Sequence, residues 1–390
     1  MKKTMLIAVC FLLLLAGIGR AELSNELPRV NYERAKVIEA EKLNLNKTVD
    51  AALQETSQRT KVLVQSGRLK GKTLFLEHIA SGGMMGANMR LTAGDRVLLY
   101  VEENPTKAES PDGAPLVQID DYLRDTPLLW LTLSYGILLL IIGGKKGFNS
   151  LISLALTILT IFFVLFPLIL WGFNPLLVSI VISGIISLLV LRIVGGRTVK
   201  ALSAAVGTLI GVAIAGLLVI LVGKIIHLSG LSSEESKMLM YSLNLKIDFQ
   251  GLLFSGILIG ALGAMMDVGM SIASATEEVR KHHPNATFTN LFNAGMNVGR
   301  DIMGTMSNTL ILAYTGSALP LLLLFIAGNM PFAKVVNMEL VAEEIARALA
   351  GSIGLVLCIP ATALVSAALY TRHQRAGSPL PEGWLRRIGK

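Results

Sequence analysis

Cysteine is nearly missing from this chain of 390 residues: Cys10 and Cys358 are the only two. One sits in an N-terminal apolar run and the other in a hydrophobic segment, so neither a disulfide framework nor a cysteine-based metal site can be built. Charge is scarce too, with only 16% of residues Asp, Glu, Lys or Arg, and aromatics make up 6%. A chain that is 53% hydrophobic with so little charge cannot present the polar surface of an ordinary soluble domain. Also missing are a Gly-rich phosphate loop, an HExxH zinc pair and a serine triad, which argues against energy coupling by ATP within the chain. No catalytic residue, metal or cofactor is called for, and the chain reads as a non-enzyme.

What is present is a series of long apolar runs. Seven hydrophobic segments lie near 128–143, 148–166, 175–192, 201–223, 249–276, 302–327 and 350–370. Most match the roughly 20 residues that a helix needs to cross about 30 Å of hydrocarbon. The expected architecture is an α-helical polytopic membrane protein of about seven transmembrane helices.

Residues 1–21 read as a signal peptide: Lys2 and Lys3, an apolar run from Met5 to Ile18, then Gly19-Arg20-Ala21. Residues 22–126 form the candidate extracytoplasmic domain. Short β-type runs at 35–40, 61–65, 73–79, 96–102 and 116–120 are separated by turn chemistry such as "SGRLKG", "TAGD" and "ENPTKAESPDG". Five strands in so short a domain predict a small β-rich, OB-like barrel, with 41–57 as a helical or loose insertion. Residues 127–371 are the transmembrane helical domain, and 372–390 a basic tail.

The net charge of +8 is unevenly spread: residues 22–126 carry −2 and residues 127–390 carry +7. The basic excess therefore belongs to the membrane part and reports topology, not nucleic-acid binding. With the first domain translocated, the loops assigned inside hold 12 Lys and Arg against 5 in those assigned outside. That asymmetry predicts an extracytoplasmic N-terminal domain and a cytoplasmic C-terminus in a bacterial cytoplasmic membrane. The segment 331–348 carries acids and apolar residues at helical spacing and is expected to lie along the outer interface. Residues 285–299 are expected to begin a peripheral helix at Pro284-Asn285 that leads into the sixth span.

Within the fifth segment, Gly256, Gly260, Gly263, Asp267, Ser271, Ser274 and Glu278 recur at steps of three and four and so share one helix face. Gly256, Gly260 and Gly263, like Gly207 and Gly211 in the fourth segment, have the spacing that lets helices approach closely in lipid. In the sixth, Asn293, Asn297, Arg300, Gly304 and Asn308 do the same, with Asp301 and Thr305 beside them. An aspartate near the bilayer centre costs about 2.5–3.5 kcal/mol on insertion scales, so an Asp267–Arg300 pair is expected. A broken helix around 295–304 would put helix ends at the same place. Such a pair has two readings: a staple between helices, or one wall of a path for an ion or polar solute. The uncharged Ser271, Ser274, Asn293, Asn297 and Asn308 exceed what a staple needs. Asp267 and Asp301 also invite comparison with intramembrane aspartyl proteases. The local Val298-Gly299-Arg300-Asp301 lacks their Gly-x-Gly-Asp signature, and an adjacent arginine holds an acid ionised. The methionines 265, 266, 270, 296, 303 and 306 offer thioethers to Cu(I), but methionine is also a generic packing residue.

"GILIGALGAMMDVGMSIASA" followed by "NAGMNVGRDIMGTMSNTLILAYTGSALPLLLL" resembles the YibE/F family of bacterial multi-pass membrane proteins. "GGKKGFNSLISL", "GFNPLLVS" and "HLSGLSSEES" add to the resemblance, which runs from about residue 33 to 370. It implies a bacterial inner-membrane, permease-like protein of the longer form with an extracytoplasmic domain, and specifies no reaction. The expected function is translocation of an ion or small polar solute along the stripes. The alternative is a non-transporting scaffold that recruits an envelope partner through residues 22–126. The partners expected are the lipid bilayer and a second family member or further copies of the chain.

Overall fold

A computed structural model describes residues 30–42, 57–79, 89–102, 115–196, 198–241 and 245–375. The expected signal peptide at 1–21, most of the expected 41–57 insertion and the tail beyond 375 lie outside these. The chain divides into two compact units, with the boundary between Leu138 and Leu139.

In the first unit, β1 (Val30–Lys42), β2 (Ser57–Val64), β3 (Thr73–Ile79), β4 (Arg96–Glu102) and β5 (Leu116–Tyr122) form one antiparallel sheet in the order β3-β2-β1-β4-β5. The long β1 serves both halves. Its first part pairs with β4, and past Ala35 it pairs with β2, with a register shift between Val37 and Glu39. Such a bulge bends the strand and lets the sheet curl. The edge strands β3 and β5 consequently approach each other, giving the half-closed, OB-like barrel expected. Alternation places Val97, Leu99 and Val101 of β4 inward against Ala35, Val37, Val62, Val64 and Leu91. Buried Gln58 is matched by the Leu91 backbone, donating at 3.1 Å and accepting at 2.8 Å. At the end of β5, Arg124 bonds the Asp121 carboxylate, which holds its pKa below the usual carboxylate value.

The second unit is helical. α1 (Asp125–Thr160) crosses the boundary and breaks at Gly144, whose φ of 51° and ψ of −125° leave the helical region. A straight helix would separate positions 139 and 147 by about 12 Å. Instead, a Cβ on Gly147 would stand 1.9 Å from the Leu139 carbonyl oxygen, so the chain doubles back here. A π-helical turn (Ile161–Leu165) and α2 (Phe166–Leu170) complete this stretch.

α3 (Pro175–Val194), α4 (Val199–Ile225), α6 (Phe249–His282) and α7 (Phe288–Ser317) each start at a side-chain cap: Asn174, Thr198, Asp248 and Thr287 accept from backbone N–H groups three residues on. Between them α5 (Glu234–Tyr241) is short. α8 (Leu319–Ala327), α9 (Phe332–Val336) and α10 (Glu339–Arg375) complete the chain. Among the described residues five helical stretches are long and apolar enough to cross a membrane, or six if α7 and α8, bent by 60° at Ala318, count as one span. The expected seven segments differ chiefly at Gly144, where 128–143 and 148–166 fall on either side of the break.

Two expectations are corrected. α7 runs unbroken through 295–304, and the discontinuity lies at Ala318, ahead of Pro320. The acidic 339–348 stretch is the first part of α10 and not a separate interfacial helix. Its carboxylates take backbone and hydroxyl donors: Glu339 accepts from the Ser229 N–H, and Glu343 accepts from Ser232 Oγ at 2.6 Å.

The core lies among α3, α4, α6 and α10. α6 packs on α3, α4, α7 and α10, burying Ile257, Leu258, Ala261, Met265, Val268 and Ile272. α4 and α10 cross closely, because Gly207 and Gly211 lie against Thr362 and Cys358, and Gly354 against Ala215 and Met265.

Candidate functional site

The helical spacing that gathers Gly256, Gly260, Gly263, Asp267, Ser271, Ser274 and Glu278 also fixes where they lie. The opposite side of α6 is the core side described above. Gly256, Gly260, Gly263, Asp267, Ser271 and Glu278 are all exposed, with Ser274 half-buried. The space where a Cβ would project from Gly256 or Gly263 is open, whereas at Gly260 it would meet Tyr314 Oη of α7 at 2.5 Å.

α7 has the same division. Leu291, Gly295, Gly299 and Leu310 are buried. The two glycines are the contact seam: a Cβ on Gly295 would stand about 3.1–3.2 Å from Ala363, Thr276 and Ile272, and one on Gly299 would stand 2.2 Å from Ile359. With that side committed to α6 and α10, Asn293, Asn297, Arg300, Asp301, Gly304, Thr305 and Asn308 all turn outward and are exposed.

The two stripes are therefore neighbouring outward faces. The expected Asp267–Arg300 ion pair is not formed. Among the described residues no ion pair within 4.0 Å and no side-chain hydrogen bond involves either group. The reason is geometric: each side chain leaves its own helix on the outward side and not across the α6–α7 seam. Near Asp267 the polar contact is local, with Ser271 Oγ donating to the Asp267 carbonyl at 2.9 Å. At the basic end of α6, Lys200 bridges to half-buried Glu277 at 3.1 Å, and His282 meets Glu278 at 3.0 Å. Among the described residues, no three of His, Cys, Asp and Glu come together to hold a metal ion.

Two polar features inside the bundle escaped the sequence reading. Ser179, Ser183 and Ser187 of α3 are fully buried, and their i, i+4, i+8 spacing is a signal that would have found them. The second is the Met265 carbonyl, which accepts from Thr208 Oγ1 at 3.4 Å and from Cys358 Sγ at 3.7 Å. These donors come from two other helices, so hydropathy gives no hint of them. An apolar cavity of about 260 Å³ lies between α7, α8 and α10, lined by Ile311, Tyr314, Leu321, Glu344 and Leu349 among others.

Apolar helices of this length, in a chain that also carries a small OB-like β-domain, define a multi-pass membrane protein. The chain belongs to the YibE/F-like protein family, whose family model matches residues 131–372. The match covers the helical part and both stripes, and stops short of the β-barrel. Neither a curated protein nor a solved structure matches the chain.

Proposed function

We propose that this is a permease-like protein of the bacterial cytoplasmic membrane, carrying an ion or small polar solute along the adjoining faces of α6 and α7. Its topology in this reading has the β-barrel outside and the C-terminus in the cytoplasm, as the basic loops favour. The observation that carries the reading is the exposure of Asp267, Asn293, Asn297, Arg300, Asp301 and Asn308 on helices that belong in hydrocarbon. Polar and charged groups are costly there and mark ion or substrate paths more often than structural sites. In this scheme Asp267 is the ionisable group of the path. Arg300 sets the local charge, while Ser271, Ser274 and the asparagines supply exchangeable ligands to the solute.

The test uses proteoliposomes. Entrapped pyranine reports proton flux after a pH step, and light scattering reports entry of small uncharged solutes. Wild-type vesicles are expected to exceed empty ones in one of these assays, and Asp267→Asn to cut that flux at least tenfold. Flux that Asp267→Asn leaves unchanged removes Asp267 from the path. Wild-type vesicles no faster than empty ones in either assay overturn the reading.

A second reading rests on the barrel. Tyr32, Ile38 and Phe75 are exposed there, Phe75 at 68%, with the Lys61 ammonium 5.5 Å from the Phe75 ring centre. Exposed apolar residues of this kind suit recruitment of an envelope partner by a non-transporting scaffold. Co-purification of a partner that Phe75→Ser abolishes, with no flux in either assay, would favour it.

A further inference from the structure

In lipid, a face that exposes an aspartate, an arginine and several asparagines is an unfinished surface. Among the described residues neither Asp267 nor Arg300 has a side-chain partner, and hydrocarbon cannot supply one. We infer that a second copy of this chain covers the outward face of α6 and α7 with its own, Asp267 of each copy standing against Arg300 of the other.

Three observations point to a second copy. The first is charge. The same face carries both an acid and a base, each unpaired among the described residues, which is what a two-fold interface needs to be complementary to itself.

The second is depth. Gly295 and Gly299 of α7 lie against Ile272 of α6, and Gly260 lies against Tyr314. Interpolating between these contacts along the antiparallel pair puts Asp267 level with the neighbourhood of Gly304, about one helical turn, or 5.4 Å, from Arg300. A two-fold axis along the membrane normal preserves depth, so Asp267 of one copy meets the other copy's α7 at that same level. The long arginine side chain spans the remaining turn.

The third is shape. Open space lies over the Cα atoms of Gly256, Gly263 and Gly304. No side chain among the described residues fills it, so a second pair of helices can come as near as small-residue seams allow in bilayers.

The inference deepens the transport reading and rests on it for one consequence: a single copy supplies one wall of a path, and the second copy closes it. Contact between copies does not itself depend on transport.

The test is made on the full chain in its native membrane. Cys10→Ser removes one native thiol, and buried Cys358 is retained as unreactive. Single cysteines are then introduced at Gly263 or Asn297 on the outward face, with Leu217→Cys on the exposed side of α4 as control. After oxidation with copper phenanthroline, more than half of the outward-face variants should run as a disulfide-linked homodimer, at least fivefold more than the control. Native mass spectrometry of the unmodified protein should give twice the mass of one chain. Asp267→Arg and Arg300→Asp should each cut cross-linking severalfold, and the two together should restore it. Monomer mass with no outward-face cross-link overturns the inference, as does cross-linking only to a different polypeptide or equal cross-linking at Leu217→Cys. A dimer without flux in the vesicle assays leaves the inference standing and removes the transport reading, whereas flux from a monomer does the reverse.

Discussion

Gly207 of α4 lies directly on Thr362 of α10: a Cβ at position 207 would stand 1.9 Å from Thr362 Oγ1 and 2.7 Å from its Cα. Position 207 has no room for a side chain because backbone and hydroxyl already fill it. Gly207→Val should therefore push α4 off α10, at the roughly 1–3 kcal/mol typical of overpacking. Gly184→Ala is the control, since its Cβ would meet only the flexible end of Leu209 at 3.1 Å. The check is the midpoint of unfolding as sodium dodecyl sulfate is titrated into mixed micelles. A marked drop is expected for Gly207→Val and little change for Gly184→Ala.

In the barrel, Gly67 combines a positive φ of 73° with a Cβ position 2.1 Å from Glu33 Oε1. That carboxylate oxygen accepts from the Arg68 N–H at 2.8 Å and more weakly from Leu69. Gly67→Ala strains the backbone and displaces the acceptor together, for a combined loss of about 2–3 kcal/mol. Gly71→Ala, with a φ of 83° but open space, bears the strain alone. Hydrogen exchange should report faster opening of β1 and β2 in Gly67→Ala, and a smaller effect in Gly71→Ala.

Much of this architecture is legible in the sequence, for identifiable reasons. The strands announce themselves by the turn chemistry between them; β3 and β4 keep their expected bounds, while β1, β2 and β5 run longer, β1 most of all because it pairs on both sides. Gly207 and Gly211 are readable as a close-packing seam because small residues at that spacing have few other uses in lipid. The direction of a stripe is a different matter. Periodicity shows that Asp267, Ser271 and Glu278 share a face, but a polar face can look into a bundle or away from it. Here Gly295 and Gly299 decide, by binding the other side of α7 to α6 and α10. The 60° bend at Ala318 is hard to read because a long apolar run continues beyond it, Gly316-Ser317 and Pro320 being the hints. The acidic start of α10 misleads for a related reason, since an amphipathic pattern reads the same lying on a membrane or prolonging a span.

Thr208 and Cys358 reach the Met265 carbonyl from different helices, so they are coupled through one acceptor. Thr208→Val keeps the shape and removes one donor, and hydrogen bonds between membrane helices average about 0.6 kcal/mol. Each single change, Thr208→Val or Cys358→Ala, should thus cost little while the other donor remains. The double variant should lose more than the sum in the same detergent titration. Strict additivity would show that the two donors do not share the carbonyl.

The Asp121–Arg124 contact makes a pH-dependent contribution. The arginine lowers the Asp121 pKa, so the stabilisation is present above the usual carboxylate value near 3.9 and fades as pH falls through the lowered one. Both side chains are about half exposed, so the effect is small. Asp121→Asn should slightly raise hydrogen exchange at the β4–β5 ladder at neutral pH, and match the wild type once the medium is acid enough to protonate Asp121.

Asn297 separates packing from passage on the outward face. Replacing it with leucine removes an amide that hydrocarbon cannot satisfy, so insertion and assembly of the protein should be unharmed or improved. A solute path, in contrast, loses a ligand and gains a branched apolar side chain in its lumen. Asn297→Leu should therefore cut proteoliposome flux at least tenfold while yield and native dimer mass hold. Asn297→Ser, which keeps a polar group and less bulk, should retain most of the flux. If leucine and serine behave alike, Asn297 does not face a path, and its exposure reflects contact between helices alone.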